Sequence, residues 1–331
     1  MKIIQFLHGN QMGGMEKFCI DISNELVKRH KVMIIADSFF KPFCSNEIIF
    51  KVLDIHKSRN NILFLYNLYN TIVKFNPDII HVHKQKSIQI LNRLRFFLNI
   101  PFIATKHDMQ QKKAFYGLKY AVSISKDMDS TISAKNLYHI YNGILPTIPQ
   151  KIKLKNNAFN IVAVGGLRKV KNFDKLIKSV ANLSFNYHLT ILGSGDEYEY
   201  LQQLIYELNI QEYVTLKGFC DNVADYLYSA DLQVISSYSE GFSLAMIEGI
   251  FYSPILISTK VSGANDILPK ELLYDISNLT DMINIIYKNQ NQYKQIFNKV
   301  KNQYMDILNM NYCSIEYEKV YHLVRKDYHE K

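Results

Sequence analysis

Tryptophan is absent from the 331 residues, cysteine occurs only four times and proline seven. Cys19, Cys44, Cys220 and Cys313 are widely scattered, and no pair has Cys-x-x-Cys spacing. That argues against a disulfide framework and a thiolate zinc site, and it suits a reducing compartment. No run of about eighteen uninterrupted apolar residues exists, so no transmembrane helix is expected. The apolar residues 3–7 are too few for a signal-peptide core and have no cleavage-site pattern after them. The expectation is a soluble, cytoplasmic protein.

What is present is an ordinary globular balance, 48% hydrophobic and 21% charged, in a chain long enough for two cores. The net charge of +9 is unevenly placed. Residues 1–150 hold 20 Lys and Arg against 10 Asp and Glu, whereas residues 151–331 hold 19 against 20. A basic half and a near-neutral half imply different partners. In the basic half Lys84, Lys86, Arg93, Arg95, Lys112 and Lys113 flank Leu94, Phe96, Phe97 and Leu98. That mixture suits a peripheral contact with anionic lipid at the inner face of a membrane, and equally a plain solvated face. Nucleic acid would favour the charge, but no nucleic-acid motif is present.

Both halves open in the same way. Residues 3–7 form an apolar run, a loop with Gly9, Gly13 and Gly14 follows, and Phe18, Ile22 and Leu26 then recur at helical spacing. Further strands are expected at 31–36, 78–83, 101–105 and 120–125. After a Pro- and Lys-rich linker at 145–158 the pattern restarts, with a strand at 159–164, a Gly165-Gly166 turn and a helix at 173–183. Strands at 189–192, 214–216, 232–235 and 255–257 alternate with helices. Such alternation predicts parallel, doubly wound sheets that bind ligands at the carboxyl ends of their strands. The tail, 311–326, reads as a helix with Tyr317, Val320, Leu323 and Val324 on one side. Residues 288–304, rich in Asn, Gln and Lys, read as a solvated helix.

The most informative segment runs from Ser236 to Glu248. A strand ends at Ile235, a loop of small residues follows, and a helix is expected from about Phe242. Unpaired amides at a helix start suit a diphosphate. Glu240 precedes that start, and Glu248 stands about two turns along, able to accept hydrogen bonds from sugar hydroxyls. Alone, two such glutamates would read as a cap and a surface charge. Arg168 and Lys171, three residues apart beside Gly165 and Gly166, can reach one diphosphate. Asp127-Met128-Asp129 has the form of a metal-binding Asp-x-Asp, but it follows Ser125-Lys126 at a helix start, where Asp is a capping residue. His81 and His83 alternate along a strand and are read as pointing to opposite faces, unable to share one metal. No metal site is expected.

Glu240-Gly241-Phe242-Ser243-Leu244-Ala245-Met246-Ile247-Glu248 resembles the E-x7-E signature of glycosyltransferase family 4. Gly13-Gly14-Met15-Glu16 resembles its N-terminal GGxE loop, and Pro77 to His83 its strand ending in HxH. Thr105-Lys106-His107-Asp108 resembles its TxH segment, and Asn142-Gly143-Ile144 the turn before its linker. Residues 164–172 resemble its GRLxxxKN phosphate turn, Gly193-Ser194-Gly195 its GxG loop, and Ala230-Asp231 the AD before the strand to Glu240. All stand in the family's order and spacing. In two places the chain departs: Gly166 stands where the family usually has Arg, with Arg168 two residues later, and Ser262 to Asp266 replaces a Gly-Gly-Glu element.

The resemblance implies an α/β chain of the GT-B type, two doubly wound Rossmann-like domains facing across a cleft. It assigns residues 1–148 to an acceptor-binding domain, 149–309 to a nucleotide-sugar domain, and 310–331 to a helix returning to the first. The implied activity is retaining transfer from a nucleotide sugar, UDP before GDP, to a glycan or lipid-linked acceptor in surface-polysaccharide or lipopolysaccharide synthesis. No cofactor is implied, since the nucleotide sugar is a substrate. The implied catalytic residues are His107, Glu240, Arg168 and Lys171. The implied donor contacts are Gly165, Arg168, Lys171, Gly193, Gly195, Glu240, Gly241, Phe242, Ser243, Leu244 and Glu248, with Glu248 on the ribose and Glu240 on the transferred sugar. Gly13, Gly14 and Glu16 form the acceptor or phosphate loop. A sugar-nucleotide epimerase or hydrolase on the same fold, a non-catalytic sugar-nucleotide binder and a basic nucleic-acid binder remain as alternatives.

Overall fold

The computed structural model describes residues 1–54, 57–58, 60–110 and 113–330. Lys112 therefore lies outside the described residues. The chain divides into two compact units, Met1–Leu145 with Ile307–Lys331, and Pro146–Asp306.

The first unit is built on strands β1 (Lys2–Phe6), β2 (Lys31–Ala36), β3 (Ile49–Val52), β4 (Ile79–Val82), β5 (Phe102–Lys106), β6 (Tyr116–Ser123) and β7 (Ser133–His139). They form one parallel sheet in the order β3-β2-β1-β4-β5-β6-β7. β1, β2 and β4 are almost wholly buried, as a parallel sheet covered on both faces requires. Helices α1 (Gly14–Leu26), α2 (Ile62–Phe75) and α3 (Gln85–Leu94) link the early strands. α2 shows how local chemistry sets its bounds. The Asn61 side chain accepts from the Phe64 amide at 2.9 Å, and the helix ends at Asn76 in the left-handed conformation, just before Pro77.

The second unit holds β8 (Phe159–Val164), β9 (Tyr187–Leu192), β10 (Val214–Gly218), β11 (Leu232–Ile235), β12 (Leu256–Thr259) and β13 (Leu273–Tyr274). Its parallel order is β10-β9-β8-β11-β12-β13. Its helices are α4 (Phe173–Val180), α5 (Tyr198–Glu207), α6 (Val223–Ser229), α7 (Leu244–Tyr252), α8 (Ser262–Ile267), α9 (Leu279–Lys288) and α10 (Gln290–Tyr304). α10 is mostly solvated, with Phe297 and Val300 turned inward.

The last helix, α11 (Met310–His329), packs against α1 within the first unit. The chain enters it through a close backbone pairing, Ile144 N to Leu308 O at 3.0 Å and Met310 N to Ile144 O at 2.8 Å. A Cβ on Gly143 would lie 2.9 Å from the Asn309 backbone, so only glycine permits this approach. Tyr317, Val320, Tyr321 and Val324 are buried. Leu323, expected on that side, is 54% exposed, and Tyr321 faces the core in its place. A stripe at i, i+3/i+4 passes through 317, 320/321 and 324, and 323 falls off it. No described helix is long and apolar enough to cross a membrane.

Candidate functional site

In both sheets the strand order reverses beside the first strand, between β1 and β4 and between β8 and β11. Ligands of open parallel sheets bind at the carboxyl ends of the strands flanking such a reversal. In the second unit those ends carry the Gly165–Lys171 turn after β8 and the Ser236–Ser243 loop after β11.

The turn after β8 is shaped around two cations. The chain makes one 3-10 turn at Lys169–Lys171, and Asn172, left-handed at φ 58°, redirects it into α4. An added Cβ on Gly165 would come within 3.0 Å of Lys171 Cε, and one on Gly166 within 3.3 Å of Arg168 Nε. The stem of Lys171 and the guanidinium of Arg168 thus lie over glycines. The guanidinium of Arg168 covers Gly166, the position at which the sequence resemblance leads one to expect an Arg. Arg168 is otherwise exposed, and both cations precede α4 rather than sitting in its first turn.

Gly193 and Gly195 act on this turn from behind. At Gly193, with φ 141°, a Cβ would be driven into the carbonyl oxygen of Gly165, and one on Gly195 would lie 2.5 Å from the Leu167 oxygen. The glycines let the β9 loop press on the β8 turn, which Leu167 N and Gly165 N join by bonding to Ser194 O and Leu192 O, each at 2.9 Å.

Lys171 Nζ meets Glu240 Oε1 at 2.5 Å, with both side chains largely buried. The sequence separates them by 69 positions. Ser237 Oγ donates to the same carboxylate oxygen at 2.6 Å, Ser236 Oγ to Lys171 O at 2.8 Å, and Tyr238 N to Val170 O at 2.8 Å. These serines were not assigned roles from the sequence; the signal available was a pair of small hydroxyl residues directly before the acidic position. From the other side Thr259 Oγ1 donates to Ser237 O at 2.7 Å.

Helix α7 begins at Leu244, with Ser243 as its N-cap residue, later than the expected start near Phe242. Phe242 is buried instead, and Gly263 of α8 lies against it so closely that a Cβ would come 2.6 Å from its ring and 3.0 Å from Gly241 O. Packing of that ring holds 240–243 as a loop and delays the helix. Glu248 is therefore the fifth helical residue, little more than one turn along, and is half-buried. Gln233 fixes α7 to β11, donating from Nε2 to Ala245 O at 2.7 Å and accepting from Ser253 Oγ at 2.8 Å.

In the first unit, the glycine loop after β1 is organised by Glu16. Its buried carboxylate pairs with Lys84 and packs on Gly13, where a Cβ would lie 2.9 Å from Oε2. Gly14 starts α1. A cavity of about 430 Å³ opens beside Met15, Lys84, Lys86, Lys106, His107 and Asp108, with His83 in its wall. His107 is half-buried, and its Nε2 lies 3.2 Å from His83 Nδ1.

The expectation that His81 and His83 face opposite ways is wrong. Their ring centroids are 4.0 Å apart, because residues two apart on a strand share a face. Both are fully buried, and burial, reinforced by neighbouring imidazoles, holds their pKa values well below the usual histidine range. Both are spoken for by hydrogen bonds to Gln5, Tyr321, Thr105 and His107. Asp127 and Asp129 sit in a 3-10 turn, Asp127–Thr131, where Asp129 accepts from Ser123 Oγ. Among the described residues no group of three or more His, Cys, Asp or Glu is placed to hold a metal ion.

Of the apolar residues in the basic stretch, Leu94 and Leu98 are buried. Phe96 and Phe97 are 81% and 72% exposed, and the Arg95 guanidinium lies 4.5 Å over the Phe96 ring.

Comparison with known proteins gives matches within both units. Residues 146–303 match the family described as Glycosyl transferases group 1, and residues 12–144 match Glycosyltransferase Family 4. An uncharacterized glycosyltransferase of Methanocaldococcus jannaschii is 28% identical over 73% of this chain and 75% of its own length. An N-acetylgalactosaminyltransferase of Campylobacter jejuni, acting on a diphospho-undecaprenol-linked sugar, is 36% identical over 46% of this chain and 44% of its own length. The lipopolysaccharide core biosynthesis glycosyltransferase LpsD of Rhizobium meliloti is 22% identical over 82% of each chain. Anabaena HepE, solved with UDP and glucose, superposes with a TM-score of 0.82 at 17% identity, covering 97% of this chain and 99% of HepE.

Proposed function

The chain is a glycosyltransferase of the GT-B type, and we propose that it moves a sugar, with retention, from a nucleotide sugar to a glycan or lipid-linked acceptor of cell-surface polysaccharide synthesis. A UDP-sugar is the first choice of donor and a GDP-sugar the second. HepE binds UDP and UDP-glucose, and LpsD acts in lipopolysaccharide core biosynthesis, which supports the donor and acceptor classes.

The observation that carries the reading is Lys171 held 2.5 Å from Glu240 where the second sheet reverses its strand order. Breaking the anomeric C–O bond builds negative charge on the departing phosphate, and a preformed cation in a partly dry site meets that charge without reorganising. Lys171 and Arg168 serve this role. An arriving diphosphate competes with Glu240 for Lys171, and the released carboxylate accepts hydrogen bonds from the sugar. Amides at the start of α7 add the positive end of a helix dipole, and Glu248 takes the ribose. The second unit is thus the donor domain and the first the acceptor domain, with His107 accepting a hydroxyl of the transferred sugar. Two cations supply the charge that a metal would, so catalysis proceeds without one. Phe96, Phe97, Arg93 and Arg95 give the basic half a peripheral contact with anionic lipid.

A thermal-shift screen of nucleotide sugars, followed by product analysis with the stabilising donor, tests this, because a ligand bound only by the native state raises the melting point. A UDP-sugar or GDP-sugar should stabilise the protein and yield a glycoside of unchanged anomeric configuration, with chelator present. No stabilisation by any nucleotide sugar would reject the reading, and inverted product would reject retention. Loss of activity on chelation, restored by manganese, would reject metal independence. Liposome flotation insensitive to anionic lipid and to salt would reject the membrane contact.

A further inference from the structure

Helix α2 is apolar on two sides. Phe64, Leu68, Ile72 and Phe75 are buried, while Ile62, Leu63 and Tyr66 in its first two turns are 81%, 71% and 60% exposed. Val73, two turns beyond Tyr66, continues that outer stripe and is also exposed. A surface helix ordinarily turns charge to solvent, yet Lys74 is the single charged residue of α2. Such an outer face calls for an apolar partner.

The topology sets this face beside the cavity of the first unit. In a parallel sheet each linking helix starts at the carboxyl edge of the strands and returns to the amino edge. α2 joins β3 to β4 and α3 joins β4 to β5. Both crossings step the same way across the sheet, so the two helices lie on one face of it, and they pack on each other. Their first turns therefore stand side by side at the carboxyl edge, where Lys84, Gln85 and Lys86 at the start of α3 line the cavity.

The cavity suits an anion. Three ammonium groups line it, those of Lys84, Lys86 and Lys106, against one carboxylate, that of Asp108. Lys84 is paired with Glu16, and Lys106 donates to Thr131 O at 3.1 Å. Lys86 makes no ion pair among the described residues, and the first turn of α3 holds no acidic residue. The surroundings have the same sign. From Lys57 to Lys106 the sequence holds eight Lys and Arg against one acid, Asp78, which is already bonded to Lys2 N at 2.8 Å and to Arg325 at 3.2 Å. A molecule that complements both features has a phosphate head and an apolar tail.

We propose that the acceptor is a lipid phosphate, whose phosphate enters the cavity at Lys86 with Lys84 beside it and whose chain leaves over Ile62, Leu63 and Tyr66. The cavity, about 430 Å³, has room for the phosphate and a sugar attached to it. The outer stripe of α2 leads on through Val73 to the amino edge, where Phe96 and Phe97 follow the end of α3. The path of the chain thus runs to the membrane contact proposed above. This rests on the reading of the first unit as the acceptor domain, and it selects the lipid-linked acceptor over a free glycan.

Farnesyl phosphate, farnesol and inorganic phosphate, each titrated against the full chain, separate head from tail. Farnesyl phosphate, kept below its micelle concentration, should bind at least about tenfold more tightly than either of the others. Lys86→Gln should weaken farnesyl phosphate roughly tenfold and leave farnesol unchanged. The double variant Ile62→Asn, Leu63→Asn should weaken farnesyl phosphate and farnesol by roughly the same factor and leave inorganic phosphate unchanged. None of the three side chains is buried, so melting temperatures should match the wild-type protein. Inorganic phosphate binding as tightly as farnesyl phosphate would overturn the proposal in favour of a soluble anion, and farnesol binding as tightly would overturn the role of the phosphate. Tight binding of farnesyl phosphate untouched by these substitutions would put the ligand elsewhere and overturn it as well. The nucleotide-sugar screen is independent of these titrations. Stabilisation by a donor without binding of farnesyl phosphate would reject the acceptor inference alone, and stabilisation by no donor would reject the transferase reading beneath it.

Discussion

The two units share a plan and differ in where they keep their polar groups. Each is a parallel sheet that reverses strand order beside its first strand. In the second unit the polar machinery sits beyond the strand ends, as a Lys171–Glu240 pair braced by serines and seated on glycine turns. In the first unit it lies inside the sheet, where buried His83, Gln5 and Tyr321 are joined by hydrogen bonds. Charge at a turn can meet a charged ligand at small desolvation cost. A hydrogen-bonded array in the interior is costly to leave half-satisfied.

The comparison breaks first if charge in the second unit does not matter. Lys171→Ala should lower kcat by roughly a hundredfold to a thousandfold, corresponding to about 3–4 kcal/mol of barrier, and Arg168→Ala should act in the same direction. Steady-state kinetics on folded protein checks this; near-normal turnover in both variants would remove the diphosphate assignment.

Next in size is the glycine seat. Gly193→Ala puts a Cβ into the Gly165 carbonyl at φ 141°, and should cost about 3 kcal/mol of stability by urea unfolding. Gly117 in the first unit, at φ 69° with nothing within 4 Å of an added Cβ, provides the contrast. Its alanine variant should lose only about 1 kcal/mol, from backbone strain alone. Equal losses at the two sites would mean that close packing of the β9 loop on the β8 turn is not what Gly193 supplies.

Acid should separate the units. The unfolded chain protonates histidine near 6.5, whereas buried His81 and His83 resist protonation in the fold. Their folded-state values are depressed, so the stability they permit is intact above pH 6.5. It declines as pH falls below that, by up to about 1.4 kcal/mol per pH unit for each histidine. In the second unit His188 is half-buried and has a lowered value. Hydrogen exchange followed by mass spectrometry at pH 7.5 and 5.5 should therefore show the first unit losing protection before the second. The reverse order would contradict the buried neutral array.

The smallest effect is expected at Ser237. Removing its bond to Glu240 in Ser237→Ala should cost about 1 kcal/mol, a roughly fivefold drop in kcat/KM. A drop as large as that of Lys171→Ala would give the serine a larger part than bracing the carboxylate.

The same difference explains what was legible in the sequence. Arg168, Lys171 and Glu240 stand beside glycines at strand ends, and glycine turns punctuate a sequence visibly. The alternation of strands and helices likewise predicted two parallel sheets. Gln5 and Tyr321 left no such mark, since Gln5 stands in a largely apolar strand, Tyr321 in an amphipathic helix, and they meet across 316 positions. His81 and His83 were seen but assigned to opposite faces, an error in applying the two-residue strand period. The start of α7 was misjudged because the burial of Phe242 against Gly263 is a tertiary contact, and local propensity does not encode it.

A crystal structure of the protein with an intact nucleotide sugar tests the central claim most directly. The account predicts diphosphate oxygens within hydrogen-bond reach of Lys171 Nζ and the amides at the start of α7, with the Lys171–Glu240 pair opened. A diphosphate lodged elsewhere while that pair stays closed would contradict it.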